Sequence, residues 1–284
     1  MKKMNEFQHF VITRFNLRDQ NWDNLTKSKN LILTESWLTD RFELFENYCF
    51  PSVMNQSNTN FEWWVFFDFE TPKPFLDRIN LLKKKFDKFI PIFIDGMDSF
   101  LPTIQKRLSS CDSSFIITSR LDNDDCIRKD FVEKVQSKFN FQEFMAFDFV
   151  DGFTIQIQTK VNIGYRCHVY NPFITLIEKN DEAKSVWSRA HSDWKREGRI
   201  KRVRNERIWM SLIHQDNKVN EYFGFGRPNL RETLVFFGID FLTISELELR
   251  LEYSNVDSIR NFLITIFELA FKDIKRNLGV YKIK

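Results

Sequence analysis

The chain has 284 residues, 43% of them hydrophobic, with 32 Phe and only 8 Gly, enough for a large, aromatic-rich core. Its 42 Lys and Arg nearly balance 39 Asp and Glu, for a formal net charge of +3, which excludes a general nucleic-acid-binding surface. No run of about 18 apolar residues marks a membrane span, and "MKKMNEFQHF" lacks the apolar stretch of a secretion signal, so a cytoplasmic location is expected.

The first half alternates short apolar runs with helical patterns. "HFVITRF" (9 to 15), "FEWWVFFD" (61 to 68), "FIPIFID" (89 to 95) and "SSFIITSRL" (113 to 121) predict strands, each continuous enough to be covered on both faces. Between and after them, 3.6-residue stripes predict helices: Trp37, Leu38, Arg41, Phe42, Phe45 and Tyr48; then Phe75, Ile79, Leu82 and Phe86; then Phe131, Val132, Val135 and Phe139. This order predicts an α/β fold of Rossmann type, a mostly parallel sheet flanked by helices. Cys49, Cys111, Cys126 and Cys167 form no C-x-x-C pair and are expected as reduced thiols.

In such a sheet, ligands collect beyond the carboxyl ends of the strands. Arg14 follows the first strand, Asp68 the second and Asp95 the third, while Arg120 and then Asp122, Asp124 and Asp125 close the fourth. Each acid alone is as well explained by a turn or a cap. Asp125 is expected to cap a helix beginning near Ile127. Three carboxylates in four positions repel one another, and a divalent cation bound between them removes that cost. If the segment is extended, Asn123 points away and Asp122 and Asp124 share a face.

Taken in order, "HFVITRFNL", "ENYCFPS", "FEWWVFFDFETP", "PIFID", "FIITSRLDNDDCIRKDFVEKVQ", "NPFITLIEK" and "WMSLIHQDN" resemble the rhamnosyltransferase family of glycosyltransferases, of GT-A type fold, over roughly residues 7 to 217. The resemblance implies an enzyme with a nucleotide-sugar donor (dTDP-, UDP- or GDP-linked), held through Mn²⁺ or Mg²⁺ on the D-x-D carboxylates Asp122 and Asp124. It implies that Asp68 contacts base or ribose and that Arg14 lies near the donor, with Asp95 a weaker member. Arg120 would hold the aspartates or touch the donor. The acceptor would be a glycan or glycolipid, as in polysaccharide biosynthesis, and the sugar rhamnose.

Many enzymes of this fold add a late histidine to the metal. His214 matches that position best and His191 is second, while His9 precedes the first strand and His168 sits in the strand-like "YRCHVYNPF". Rhamnosyl transfer from the usual donor inverts the anomeric centre, which requires a carboxylate base. Asp148, Asp151, Glu178 and Asp193 are candidates. Asp193 is preferred because it lies between the two histidines; Asp151 before Gly152 also reads as a turn, and Glu178 as a helix-surface acid.

Rival readings use the same letters. An EF-hand from Asp122 fails, with Ile127 where Gly is needed and Cys126 where an oxygen ligand is needed. A phosphohydrolase would use Asp122 as nucleophile, and a glycan-binding module would keep the fold without catalysis. "KREGRIKRVRNER" (195 to 207), with seven cations against two acids, reads as a solvated face or as an attractor of phosphates. The resemblance divides the chain into a catalytic domain over 1–217 and a helical extension over 218–284. In that extension Ile259, Phe262, Leu263, Ile266, Phe267, Ala270 and Ile274 form one stripe, expected to pack on the catalytic domain, with a homodimer contact or a peripheral membrane contact as alternatives.

Overall fold

A computed structural model describes residues 6–19, 31, 33–215 and 221–281; the expected boundary between 217 and 218 lies outside these. Seven strands make the main sheet: β1 (Phe7–Arg14), β2 (Glu62–Asp68), β3 (Phe89–Ile94), β4 (Phe115–Arg120), then β6 (Phe144–Phe149), β9 (Thr175–Lys179) and β10 (Ile200–Val203). Their spatial order is β10-β6-β9-β4-β1-β2-β3. All neighbours run parallel except β9, which is antiparallel to both β4 and β6. The expected strands in the first half are all present, and the sheet is mostly parallel and flanked by helices, as the sequence predicts.

Alternate residues of each strand feed opposite layers of core, which explains why the runs are apolar without interruption. Val11, Trp63, Val65 and Phe67 join one buried cluster, while Phe10, Ile12, Trp64 and Phe66 join the other. The first layer is covered by α1 (Glu35–Leu44), α2 (Phe50–Met54), α3 (Lys73–Lys85) and α5 (Phe131–Gln136), the second by α4 (Phe100–Ser109). Thr34 caps α1 by accepting the Trp37 N–H, and a turn of π-helix at Phe45–Cys49 carries the chain into α2. The stripe from Trp37 to Tyr48 is therefore helical throughout, but not one regular helix.

A second sheet, not foreseen in the sequence, has the order β5-β11-β7-β8, with β5 (Cys126–Ile127), β7 (Asp151–Ile157), β8 (Val161–Cys167) and β11 (Trp209–Ile213). β11 runs parallel to β7 and antiparallel to β5. Its first residue lies flat against the backbone of β7, where a Cβ on Gly152 would stand 2.3 Å from the Trp209 ring; only glycine admits that approach. β11 thereby lays its last residues beside the end of β4.

Several local expectations change. Ile127 lies in β5, and the helix after the aspartates starts at Phe131 with Asp130 at its N-cap position. Glu178 is a strand residue of β9, not a helix-surface acid. α6 (Leu230–Phe236) and α7 (Phe241–Glu248) pack Leu230, Leu234, Ile244 and Leu247 with Ile155, Ile163 and Leu212 of the second sheet.

The last helix, α8 (Asn255–Asn277), reverses the expected packing. Its buried residues are Asn261 and Thr265, and its apolar stripe faces outward except at Phe262, whose ring centre lies 5.4 Å from that of Phe225. Among the described residues no helix is long and apolar enough to cross a membrane.

Candidate functional site

β4 ends at Arg120, and the five residues after it form a turn rather than an extended run, with the Asp125 N–H donating to the Asp122 carbonyl at 3.2 Å. The strand-like alternation expected for Asp122 to Asp124 is therefore lost. Asp122 faces Arg120 across 3.6 Å. Asp124 turns instead to Arg41 of α1, whose Nη1 donates to its Oδ2 at 2.5 Å, and to His214, whose Nε2 lies 3.1 Å from the same oxygen. Asn123 goes with Asp124: it accepts from Arg41 at 3.3 Å and donates to the Phe15 carbonyl at 3.0 Å.

Burial by itself would raise the Asp124 carboxyl, but Arg41 and His214 hold it far below the usual carboxylate range. Asp125 is shifted the other way. It is buried, and burial together with the charges of Asp124 and Asp122 pushes its carboxyl well above the ordinary value. Its Oδ1 accepts the Leu212 N–H at 3.1 Å, so it ties β11 to the turn and is not the cap of a following helix. The run of three aspartates is thus tolerated by division of labour: one faces Arg120, one is paired with two cationic or basic groups, and one has its carboxyl pushed up by burial and by its two neighbours.

A second group of residues lies on the Asp122 side. Arg120 is buried, its guanidinium carbon 3.9 Å from the centre of the Trp187 ring, and Arg14 stands 5.4 Å from the same ring. Burial lowers the Arg120 pKa, with Asp122 opposing that shift. His191 belongs here rather than beside Asp124. Its Nδ1 lies 2.8 Å from the Tyr170 carbonyl, which can only accept, so the proton sits on Nδ1. Burial lowers its pKa, and the charges of Arg120, Asp122 and Arg14 reach it.

At the ends of β2 and β3, Asp68 and Asp95 are joined by Arg18, which sequence reasoning missed. Its Nε is 3.0 Å from Asp68 and its Nη2 is 2.7 Å from Asp95. Asp68 also accepts the backbone N–H groups of Arg18 and Glu70; these and the guanidinium outweigh burial and lower its pKa. The loop is held close by Gly96, at φ +62°, where a Cβ would sit 3.0 Å from the Arg18 carbonyl oxygen.

The candidate bases are placed very differently. Asp148 is fully buried, accepts from the Tyr170 N–H and the Asn171 amide, and is pushed up to about 6 by burial. Asp151 accepts from the Arg204 Nε, the Asn205 N–H and the Cys167 thiol, at the opposite end of β7 from the β11 terminus that carries His214. Glu178 accepts the N–H groups of Lys184 and Ser185 and pairs with Ile116 near the start of β4, the edge remote from Asp122. The carboxylates of Asp151 and Glu178 are thus engaged in holding loops. Asp193 lies in a short 3₁₀ turn, His191–Arg196, two residues from His191, and is half-buried.

The D-x-D turn and β11 bring carboxylate and imidazole together, donors that suit Mn²⁺ or Mg²⁺ in kind. Among the described residues no three His, Cys, Asp or Glu side chains form a group that could hold a metal ion. Asp124 and His214 are the residues that would begin such a site, and a cation there would share Asp124 with Arg41. Neither Arg41 nor Arg18 carries a local signal of its role: one lies on a helical stripe and the other in a loop, and each finds its acid only through the fold.

The family described as "Putative rhamnosyl transferase" matches residues 8–224. No curated protein matches the sequence. Among solved structures, TarS 1-349 of S. aureus in complex with UDP is similar at 11% identity, over 72% of this chain and 60% of that one, with a TM-score of 0.42. The same protein in complex with UDP-GlcNAc aligns at 11% identity over 89% of this chain and 70% of that one, with a TM-score of 0.42. A nucleotide-diphospho-sugar transferase from Desulfovibrio desulfuricans G20 aligns at 11% identity over 75% and 84% of the two chains, with a TM-score of 0.36. This chain spans less than two thirds of the TarS–UDP chain that it matches.

Proposed function

The chain belongs to the rhamnosyl transferase family, and on that premise we propose that it is a glycosyltransferase moving a sugar, rhamnose in the family's reading, from a nucleotide diphosphate to a glycan or glycolipid acceptor. The observation that carries this reading is the meeting of Asp124, Arg41 and His214 beside the Asp122–Arg120 pair. Charged groups from the ends of β1, β2, β3 and β4 and from the end of β11 serve one edge of the fold, the edge where an open α/β sheet receives its ligand.

Roles follow from placement. Asp68 and Asp95, clamped by Arg18, form the end of the edge suited to the hydroxyl and amide groups of a nucleoside. Arg14 and Arg120, anchored on Trp187, stand where their charge would offset that of a diphosphate. Asp124 and His214 would begin a divalent-cation site that Asp122 completes only by leaving Arg120; a cation so held would supply positive charge to the departing nucleotide. Asp193 is our choice for the base that takes the acceptor hydroxyl proton in an inverting displacement, because it shares a short turn with His191 and, unlike Asp148, Asp151 and Glu178, is not engaged in holding backbone N–H groups with its carboxylate. Donor chemistry is assigned to residues 1–217, with 218–284 an extension resting on that unit.

Thermal unfolding tests the reading with nucleoside diphosphates and nucleotide sugars, each with Mn²⁺ and with chelator. A ligand that binds only the folded state at about 100 times its dissociation constant stabilises it by about 2.7 kcal/mol. We expect one nucleotide to raise the melting temperature in Mn²⁺ and scarcely at all in chelator, and the matching nucleotide sugar to lose its sugar slowly to water. Equal shifts with and without metal would remove the cation from the proposal; no shift with any nucleotide would remove the donor.

A further inference from the structure

We propose that α8 is an in-plane membrane-surface helix, whose outward apolar face docks on a bilayer containing anionic lipid. In a soluble domain an amphipathic helix buries its apolar stripe, and here the reverse holds. The side turned to the body is mostly polar, with Leu269 and Phe262 its apolar contacts: Asn261 donates to the Gly224 carbonyl at 3.0 Å, Ser258 accepts the Gly226 N–H at 2.8 Å, Arg276 donates to the Tyr170 hydroxyl at 3.0 Å, and Asp273 pairs with Arg202. These bonds fix the rotation of the helix about its axis. The side turned away carries Ile259, Leu263, Ile266, Phe267, Phe271 and Ile274, each at least 45% exposed and Phe267 72%. An exposed apolar stripe along 23 residues, roughly 34 Å of helix, is well beyond the scattered apolar residues normal on a surface.

The charge around this face selects the occupant. The basic segment 195–207 borders the C-terminal end of α8, through Arg202 on Asp273 and through Lys195, whose ammonium lies 5.9 Å from the centre of the Tyr281 ring. Arg196 and Lys201 of that segment are exposed, and Lys275 sets its ammonium 4.1 Å from the ring centre of Phe271, at the margin of the apolar face. Asp257 and Glu268 also stand along the helix, so the cations gather at its C-terminal end, and an apolar stripe with a basic end matches the boundary between acyl chains and phosphate head groups. A second copy of the chain would bring the same cations to the contact, whereas anionic lipid neutralises them. The helix lies on such a surface and does not cross it. This inference rests on α8 and its borders alone, so it stands or falls separately from the glycosyltransferase reading.

The experiment is co-sedimentation of the full chain with vesicles of phosphatidylcholine containing phosphatidylglycerol, and with vesicles of phosphatidylcholine alone, with light scattering to give the oligomeric state. We expect binding to the anionic vesicles about tenfold or more tighter than to the neutral ones, weakening as salt is raised. The exposed double substitution Phe267→Glu with Phe271→Glu should abolish binding at an unchanged melting temperature. Arg196→Gln with Lys201→Gln should weaken binding to the anionic vesicles only. The proposal is overturned if the wild-type chain ignores both vesicles, if it binds both equally, or if it forms a dimer that the Phe267 and Phe271 changes dissociate while vesicle binding is absent.

Discussion

Asp122 and Asp124, separated by one residue, point to different partners: Arg120 stands 3.6 Å from the first and Arg41 2.5 Å from the second. The turn between them gives each carboxylate its own guanidinium, so the pair is not a repulsive cluster awaiting a single counter-ion. A D-x-D motif so arranged can be charged and folded before any ligand arrives. Its substitutions should therefore divide into effects on binding and effects on stability.

His214→Ala removes the imidazole from Asp124 while Arg41 stays. We expect the metal-dependent shift of melting temperature by nucleotide to shrink, with the unliganded melting temperature changed little. His191→Ala is the comparison, since His191 holds the Tyr170 carbonyl and sits on the Asp122 side. If the His191 change alone reduced metal affinity, the assignment of the two histidines would be reversed.

Arg41→Ala breaks a largely buried ion pair, a class of change that costs about 3–5 kcal/mol. The sign with pH follows from the lowered Asp124 pKa. The carboxylate contributes stability above its unfolded pKa of about 4, and that contribution is lost as acid protonates it on the way down to the folded value. Denaturant unfolding should show a large gap between wild type and variant at pH 7 that narrows below about pH 4. A gap independent of pH would mean that Arg41 acts by packing, against Trp37, and not by charge.

Asp148 gives the opposite slope. Burial raises its carboxyl to about 6, so the folded state holds a proton that the unfolded chain gives up near pH 4, and stability falls as pH rises between those values. The cost of ionising it in place is roughly 3 kcal/mol, at 1.36 kcal/mol per pKa unit. Asp148→Asn keeps an acceptor for the Tyr170 N–H and should flatten the decline between pH 4 and 6, leaving the share that belongs to Asp125. An unchanged slope would place the titration elsewhere.

Asp122 separates sugar transfer from phosphate hydrolysis. In a transferase Asp124→Asn should lower turnover about a hundredfold or more, each tenfold being about 1.4 kcal/mol of barrier, and no phospho-enzyme should form. A hydrolase acting through Asp122 would instead gain the mass of a phosphoryl group, visible by intact-mass measurement and absent in Asp122→Asn. That adduct would overturn the proposed function.

What the sequence reveals of this fold is what local patterns encode. The runs at β1, β2, β3 and β4 are readable because both faces of each are buried, and the acids after them because strand ends and turns follow. β9 escapes: "TLIEK" reads as part of a helical run, and only its two neighbours β4 and β6 make it a strand. Asp125 reads as a cap because capping is local, whereas its actual donor, the Leu212 N–H, is 87 residues away. Likewise the apolar stripe of α8 is plain in the sequence, but amphipathicity tells only which side is apolar, not which side the domain covers. Arg18 and Arg41 gain their meaning from distant acids and have no signature of their own.

The 90 residues between Asp124 and His214 also set an order in time. At roughly 5–20 residues per second, a growing chain holds Asp124 for about 5 to 18 s before His214 has been made. Arg41, the other partner of that carboxylate, is already in the chain. A nascent molecule can thus neutralise Asp124 with Arg41 while β11 is still missing, and the edge proposed for the donor gains its histidine only when β11 enters the second sheet. Arg41 in this sense keeps the place of a late arrival.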